Sequence, residues 1–428
     1  MREGGGGLTK AGGWRTTWRP GWLTWWLQFP PPLREVVFLR LVGSIGAGGV
    51  LYLTPMVFHQ LHFSASSVSQ GLALAALAGT LGRFLSGILL DRGVNCGVPV
   101  LLSCLAALAA DSILIGARSF ESYVQGQLLL GTAMGLYWPG IELAVPLSCR
   151  KSSPSIPSAR GYALARTADA AGIAAGALLG AWLAEIDQLR GIYAVDLACL
   201  SMMVLLLLLR RLPDPERRDG QAGGPHSPSW ITPLVPVLAI TLLATSLPAL
   251  MQSALPLDLV RGGLQRAAMP ESHGALLIGV QLGLLLLLQW PVGRALAARP
   301  IAAGLSLSLA CLAAGTGALA FSALTEQGFW LVLLAQLPLA LGMAAFLPTA
   351  TEAVIELTPR AHQGVAMALF SQCFAFSGLL APPLAGLALD GQGHGGGLWI
   401  VLTLLCLGGF NLSKRLKPVP SGPGRRGH

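Results

Sequence analysis

The stretch GRFLSGILLDRG, residues 82–93, closes a long apolar run with an acid, a base and a glycine. Its meaning depends on what surrounds it. Of 428 residues, 53% are hydrophobic and only 11% charged, against about 25% charged in an ordinary soluble domain. With a mean hydropathy of +0.64, most of the chain must face lipid or other buried helices, and the composition is that of a polytopic membrane protein. Asp91-Arg92-Gly93 therefore stands where a span meets water.

A membrane-crossing helix needs about 20 apolar residues. By that measure the sequence divides into twelve spans, separated by proline, glycine or charge. The first six lie near 36–58, 67–90, 97–117, 122–145, 161–184 and 191–209. The second six lie near 231–254, 274–297, 301–323, 328–351, 363–387 and 397–413. An even number puts both termini on one side. With that side cytoplasmic, 20 of the 28 Lys and Arg fall in cytoplasmic segments and one more, Arg294, stands at the cytoplasmic end of the eighth span, the orientation that the positive-inside rule prefers. The net charge of +9 is thus a signal of topology rather than of nucleic-acid binding. The expected location is the inner (plasma) membrane.

The predicted organisation is a Trp/Gly-rich cytoplasmic tail at 1–35, a six-helix bundle at 36–209 and a cytoplasmic linker at 210–230. A second six-helix bundle follows at 231–413, then a basic tail at 414–428. In the first tail Trp14, Trp18, Trp22, Trp25 and Trp26 have a near-helical spacing interrupted by Pro20. Interfacial anchor and unstructured tail are equal readings of that pattern. No cleavable signal peptide is expected, because no short apolar core precedes a small-residue cleavage site.

The halves repeat. Gly87 near the end of the second span and Gly293 near the end of the eighth are 206 positions apart, although the second copy lacks the acid. Gly161, Ala163, Ala165 and Asp169 open the fifth span, and Gly364, Ala366, Ala368 and Gln372 open the eleventh, 203 positions later. Two landmarks with nearly one offset argue for duplication of a six-span unit, an arrangement common in secondary transporters.

At this point the chain resembles the major facilitator superfamily, whose two six-span halves join through a cytoplasmic loop. The loop after that family's second span carries G-x-L-x-D-R-x-G, matched here by Gly87, Leu89, Asp91 and Arg92, with a degenerate tail. The resemblance implies an all-α fold of twelve transmembrane helices in two pseudo-symmetric bundles. It also implies a conformational switch at this motif. Physically, Gly87 admits a close backbone, Asp91 suits the positive end of a helix, and Arg92 suits a carboxylate, for which Glu142 is the candidate. Plain capping of a helix end by charge is the alternative.

In the fifth span Gly172, Gly176 and Gly180 resemble the G-x-x-x-G-P-x-x-G-G pattern of drug/proton antiporters, with Ala177 and Ala181 departing from it. Small residues four apart also make an ordinary packing face. Those exporters carry an arginine in the fourth span where this chain has Gln127, so coupling through that position is not expected.

Charges within spans must face protein or a wet cavity. Arg166 and Asp169 share a helical face, and Asp169 is the candidate proton-coupling carboxylate, with a permanent ion pair as the alternative. Tyr52, Gln281, Gln336, Phe370 and Gln372 are candidate cavity or substrate residues, and Trp138 is a further interior aromatic. Asp111 suits a packing or hydrogen-bonding role. Arg40 and Arg83 read as side chains that snorkel to the cytoplasmic surface.

No lysine completes a nucleotide-binding P-loop, and neither glycine-rich match to a dinucleotide motif follows a strand. The seven cysteines have no CxxC spacing and the seven histidines are scattered. The chain is therefore expected to need no metal or cofactor, to be no enzyme, and to act as a monomer. The function these readings predict is a secondary transporter exporting a small amphipathic molecule by proton antiport. A sugar or other polar metabolite, or a sensor that transports nothing, is the alternative.

Overall fold

The computed structural model describes residues 26–61, 63, 65–150, 156–215, 230–269, 271–414 and 416. Four of the five tail tryptophans, and with them the anchor reading, lie outside the described residues. The first bundle comprises α1 (Pro31–Gln60), α2 (Ala65–Asp91), α3 (Gly97–Gly116), α4 (Phe120–Arg150), α5 (Ser158–Glu185) and α6 (Gly191–Leu209). The second comprises α7 (Val235–Arg261), α8 (Glu271–Leu296), α9 (Ile301–Ser322), α10 (Gly328–Leu357), α11 (Gln363–Gln392) and α12 (Gly396–Lys414). Eleven of the twelve are long and apolar enough along described residues to cross a membrane. The other, α1, carries no charge from 41 to 58.

Helices are the only economical choice here, because lipid offers no partner to a free backbone N–H or C=O. Lipid also accepts apolar side chains, so leucines such as Leu81, Leu178, Leu287 and Leu387 stand exposed on the outside of the bundle. Small residues do the inner packing. A Cβ on Gly176 of α5 would fall 2.0 Å from the Ile45 carbonyl of α1, and one on Gly131 of α4 2.0 Å from the Ala75 carbonyl of α2. The Gly172, Gly176 and Gly180 face therefore seats α5 directly on Leu41, Ser44, Ile45, Gly49 and Leu53 of α1.

Pairwise packing repeats with a shift of six helices. The contacts α1–α5, α2–α4, α3–α4 and α3–α6 recur as α7–α11, α8–α10, α9–α10 and α9–α12. Between bundles, α2–α11 is mirrored by α5–α8, and α4–α11 by α5–α10. A proline inside a helix repeats as well, with Pro146 in α4 matched by Pro348 in α10. This is the pseudo-twofold relation of two six-helix units.

At two helix ends the structure departs from the sequence expectation in a way that moves a charge inward. Helix α1 begins at Pro31 rather than 36, which puts Arg40 nine residues, or about 14 Å, from its start. Helix α4 continues to Arg150 rather than 145, which puts Glu142 eight residues from its end. Arg83 likewise stands eight residues before the end of α2.

A polar staple holds the face of the second bundle opposite the 210–230 connection. Asp258, at the end of α7, accepts from the backbone N–H of Gly395 at 2.6 Å and from Trp399 Nε1 at 3.0 Å. Arg266 pairs with the same carboxylate at 3.0 Å and donates to Ser322 Oγ at 2.7 Å. Both side chains are almost fully buried, and neither had a role in the sequence reading.

Candidate functional site

Two features set this chain apart from a generic helical bundle, and both are built by helices meeting at small residues. The first is a charged cluster inside the first bundle. Arg40 of α1 donates through Nε to Asp169 Oδ1 at 3.0 Å and makes a second, shorter contact to Oδ2. Its Nη2 also reaches Glu142 Oε1 of α4 at 3.1 Å. From α5, Arg166 reaches the same Glu142 oxygen at 2.7 Å and Asp169 Oδ2 at 3.6 Å. Ser44 Oγ donates to Asp169 Oδ1 at 3.3 Å. The Tyr162 hydroxyl donates to the Glu142 carbonyl at 3.1 Å.

Two cations and two anions thus balance in a site where Arg40 is wholly buried and no member exceeds 8% exposure. Both guanidinium groups lie near the Trp138 ring, at 5.7 Å and 5.8 Å from its centroid, and an arginine over an indole face is attracted by the ring quadrupole. Three polar atoms remain without a partner: Arg40 Nη1, Arg166 Nε and Glu142 Oε2. The cluster has spare hydrogen-bonding capacity for a ligand or for rearrangement.

The second feature is the seam between bundles on the face that carries the 210–230 connection, here the linker face. Asp91, at the end of α2, accepts from the backbone N–H groups of Gly364 at 2.7 Å and Val365 at 3.2 Å. These are orphan donors in the first turn of α11, where the helix dipole favours an anion. Glycine makes the approach feasible, since a Cβ on Gly87 would fall 2.9 Å from the Gly364 carbonyl and one on Gly364 2.5 Å from that of Gly87. The related contact on the other side has Gly293 of α8 against Ala163 of α5, with a Cβ there only 2.4 Å from the Ala163 methyl. Deeper along the seam Arg83 Nε donates to Ser371 Oγ at 2.9 Å and Gln372 Nε2 to Thr80 Oγ1 at 2.9 Å. These four hydrogen bonds between the bundles lie in the linker-side half of α2.

Several sequence expectations need correction. Glu142 is not the partner of Arg92: it belongs to the charged cluster, and Arg92 is exposed. Arg40 and Arg83 do not snorkel. Arg40 lies too deep once the true start of α1 is known, Arg83 is buried at the seam between bundles, and each finds a protein partner instead.

The structure brings Arg166 and Asp169 together with two residues not grouped with them before. Gln372 sits at the seam, Phe370 is buried against Phe374, and Gln336 donates to the Val332 carbonyl of its own helix. Gln281 is half-buried on α8. The side chain of Tyr52 lies outside the described residues. Position 372 pairs with 169 in the repeat, so the second half has an amide where the first has a carboxylate.

No protein-family model and no curated protein matches the sequence. Solved structures do. The E. coli fucose:proton symporter FucP is 13% identical, with a TM-score of 0.73 over 91% of this chain and 99% of that one, and a structure of FucP is described in the outward conformation. The human organic anion transporter MFSD10 is 16% identical, with a TM-score of 0.68 over 90% and 100%. A bacterial homologue of the iron transporter ferroportin, in an outward-facing state, is 14% identical, with a TM-score of 0.69 over 90% and 99%. Twelve helices, a six-plus-six repeat and this breadth of structural likeness give the chain the fold of the major facilitator superfamily transporters.

Proposed function

We propose that the chain is a secondary transporter that exports small amphipathic molecules by proton antiport, working by alternating access with its linker and both termini in the cytoplasm of the inner membrane. In that orientation the seam at Asp91 and Gly364 seals the cytoplasmic side. The contacts there are ones that opening must break, which makes the seam a two-state element of the kind alternating access requires.

The observation that carries the reading is the balanced cluster Arg40–Asp169–Glu142–Arg166. Four charges can be buried together only while they neutralise one another. Adding one proton to Asp169 leaves an unbalanced cation in low dielectric, and Arg40 must then find water or another partner. Proton binding is thereby tied to a rearrangement of α1 against α5, the two helices joined at the glycine face. The cargo class follows from the surroundings: away from this cluster the helix interiors are chiefly Leu, Ala and Gly with aromatics, which suits an amphipathic molecule better than a polyanion. A polar metabolite is the second reading, favoured by the likeness to the fucose:proton symporter and by the interior amides at 336 and 372.

Proteoliposomes loaded with a pH-sensitive dye test the reading. Amphipathic cations, sugars and amino acids are added in turn under an imposed pH gradient. Proton movement driven by an amphipathic compound and lost in Asp169→Asn, with expression intact, is the expected result. Unaltered coupling in that variant rules out the role given to Asp169.

A further inference from the structure

A second pair of carboxyl groups lies in the first bundle, apart from the arginine-bound cluster. Asp111 of α3 is fully buried, and neither of its carboxyl oxygens meets a hydrogen-bond donor. Asp196 of α6, only 4% exposed, faces it within hydrogen-bonding reach. Gly46 of α1 makes the room, since a Cβ there would fall 1.9 Å from Asp196 Oδ1.

Among the described residues, the titratable groups nearest the pair carry no positive charge. Cys104 of α3 and Cys199 of α6 lie toward Asp196, and Tyr193 of α6 lies toward Asp111. The tyrosine hydroxyl is committed to Thr54 Oγ1 of α1 at 3.1 Å. Arg190, at the start of α6, gives its Nη atoms to the carbonyls of Ile115 and Ala117 at 3.0 Å and 2.9 Å. On α1, Arg40 is taken up by Asp169 and Glu142. Two carboxylates in contact in such a place cannot both be ionised.

Asp196 also lines a cavity of about 110 Å³ between α1, α3, α4 and α6, whose walls are mainly apolar and whose polar members beside Asp196 are Ser44, Ser103 and Tyr137. That is room for a few waters at about 30 Å³ each. Ser44 is the residue that donates to Asp169, so the cavity runs from the carboxyl pair toward the charged cluster. We propose that Asp111 and Asp196 hold one proton between them, and that this site exchanges protons through Asp196 and the cavity. The shared proton is an O–H on one carboxyl hydrogen-bonded to the other, and the pair carries a single negative charge. Exchange adds a second proton from cavity water to the ionised carboxyl, and loss of either proton to that water returns the pair to one negative charge, so the two groups are never ionised together.

Infrared spectroscopy of the purified full-length protein in lipid tests this without any cargo. The wild type is expected to show a protonated-carboxyl C=O band at neutral pH that shifts in D₂O. The band should vanish in both Asp111→Asn and Asp196→Asn, in which an amide replaces the shared proton as donor. It should persist in Asp169→Asn, which separates this site from the proposed coupling carboxylate. Lack of the band in the wild type overturns the proposal, and so does its survival in both pair variants or its loss in Asp169→Asn. A band that does not shift in D₂O overturns the route through the cavity.

Discussion

Replacing Asp91 by alanine removes a carboxylate that accepts two backbone N–H groups across the bundle seam, at 2.7 Å and 3.2 Å. Hydrogen bonds to a charged group contribute about 1.5–3 kcal/mol each, and an anion at a helix N-terminus adds about 0.3–1 kcal/mol at an accessible site. The lower ends of those ranges sum to about 3.3 kcal/mol; Asp91 is half-buried and Asp91→Ala lets water reach the freed donors, which reduces the net loss to about 2–3 kcal/mol. These contacts exist only while the linker face is closed. The whole loss therefore appears in the equilibrium between closed and open states, which should shift about 30- to 150-fold toward opening.

Spin labels on exposed positions at the linker ends of α2 and α8, Arg92 and Ala298, report the separation in a cysteine-free background. The wild type should give one short-distance population. Asp91→Ala should add a longer one, and Asp91→Asn, whose amide oxygen still accepts one bond, should fall between them. A distribution for Asp91→Ala that overlays the wild type would refute the reasoning and leave Asp91 as a helix-end charge alone.

Other expectations come from the interior. Arg40→Met leaves two buried carboxylates with one guanidinium, and loss of one partner from a buried ionic set costs about 3–5 kcal/mol; thermal unfolding in detergent should drop by several degrees, and an unchanged midpoint contradicts the cluster's balance. Pairing that variant with Asp169→Asn should recover part of the loss, which a double-mutant cycle measures. Gly176→Leu must push α5 off the Ile45 carbonyl, and overpacking of about 1–3 kcal/mol or more should lower the yield of folded protein; wild-type yield and melting would show that α1 and α5 are not in close contact. Asp258→Ala should destabilise the second bundle while leaving the Asp169-dependent proton signal in the survivors, since the staple is on the opposite face from the seam.

The twelve spans were legible because lipid imposes a single rule, a sufficient apolar run, on each of them. Asp91 was legible too, as an acid after a glycine at a span end has few uses besides a helix N-terminus, and Gly364 now stands opposite. Gly172, Gly176 and Gly180 announced a packing face but not its partner. The charged cluster was half-hidden. Arg166 and Asp169 are one turn apart and read directly as neighbours, whereas Arg40 and Glu142 come from other helices, 129 and 27 residues from Asp169. Apolarity fixes where a span crosses lipid but not how far the helix continues beyond it, so Arg40 and Glu142 looked like end charges when they are interior ones. Asp258 and Arg266 were missed because a loop position says nothing about burial. Asp196 had no signal at all: a lone acid within an apolar run shows neither its facing helix nor the glycine that accommodates it.

Alternating access requires the two bundles to open one face as they close the other. Two label pairs in the same protein measure this directly, Arg92 with Ala298 on the linker face and Gln188 with Gln392 on the opposite face, followed across pH in nanodiscs. The predicted result is that one distance lengthens as the other shortens, with the linker-face pair short in the state described. Two distances that stay fixed, or that rise and fall together, would contradict alternating access in this chain.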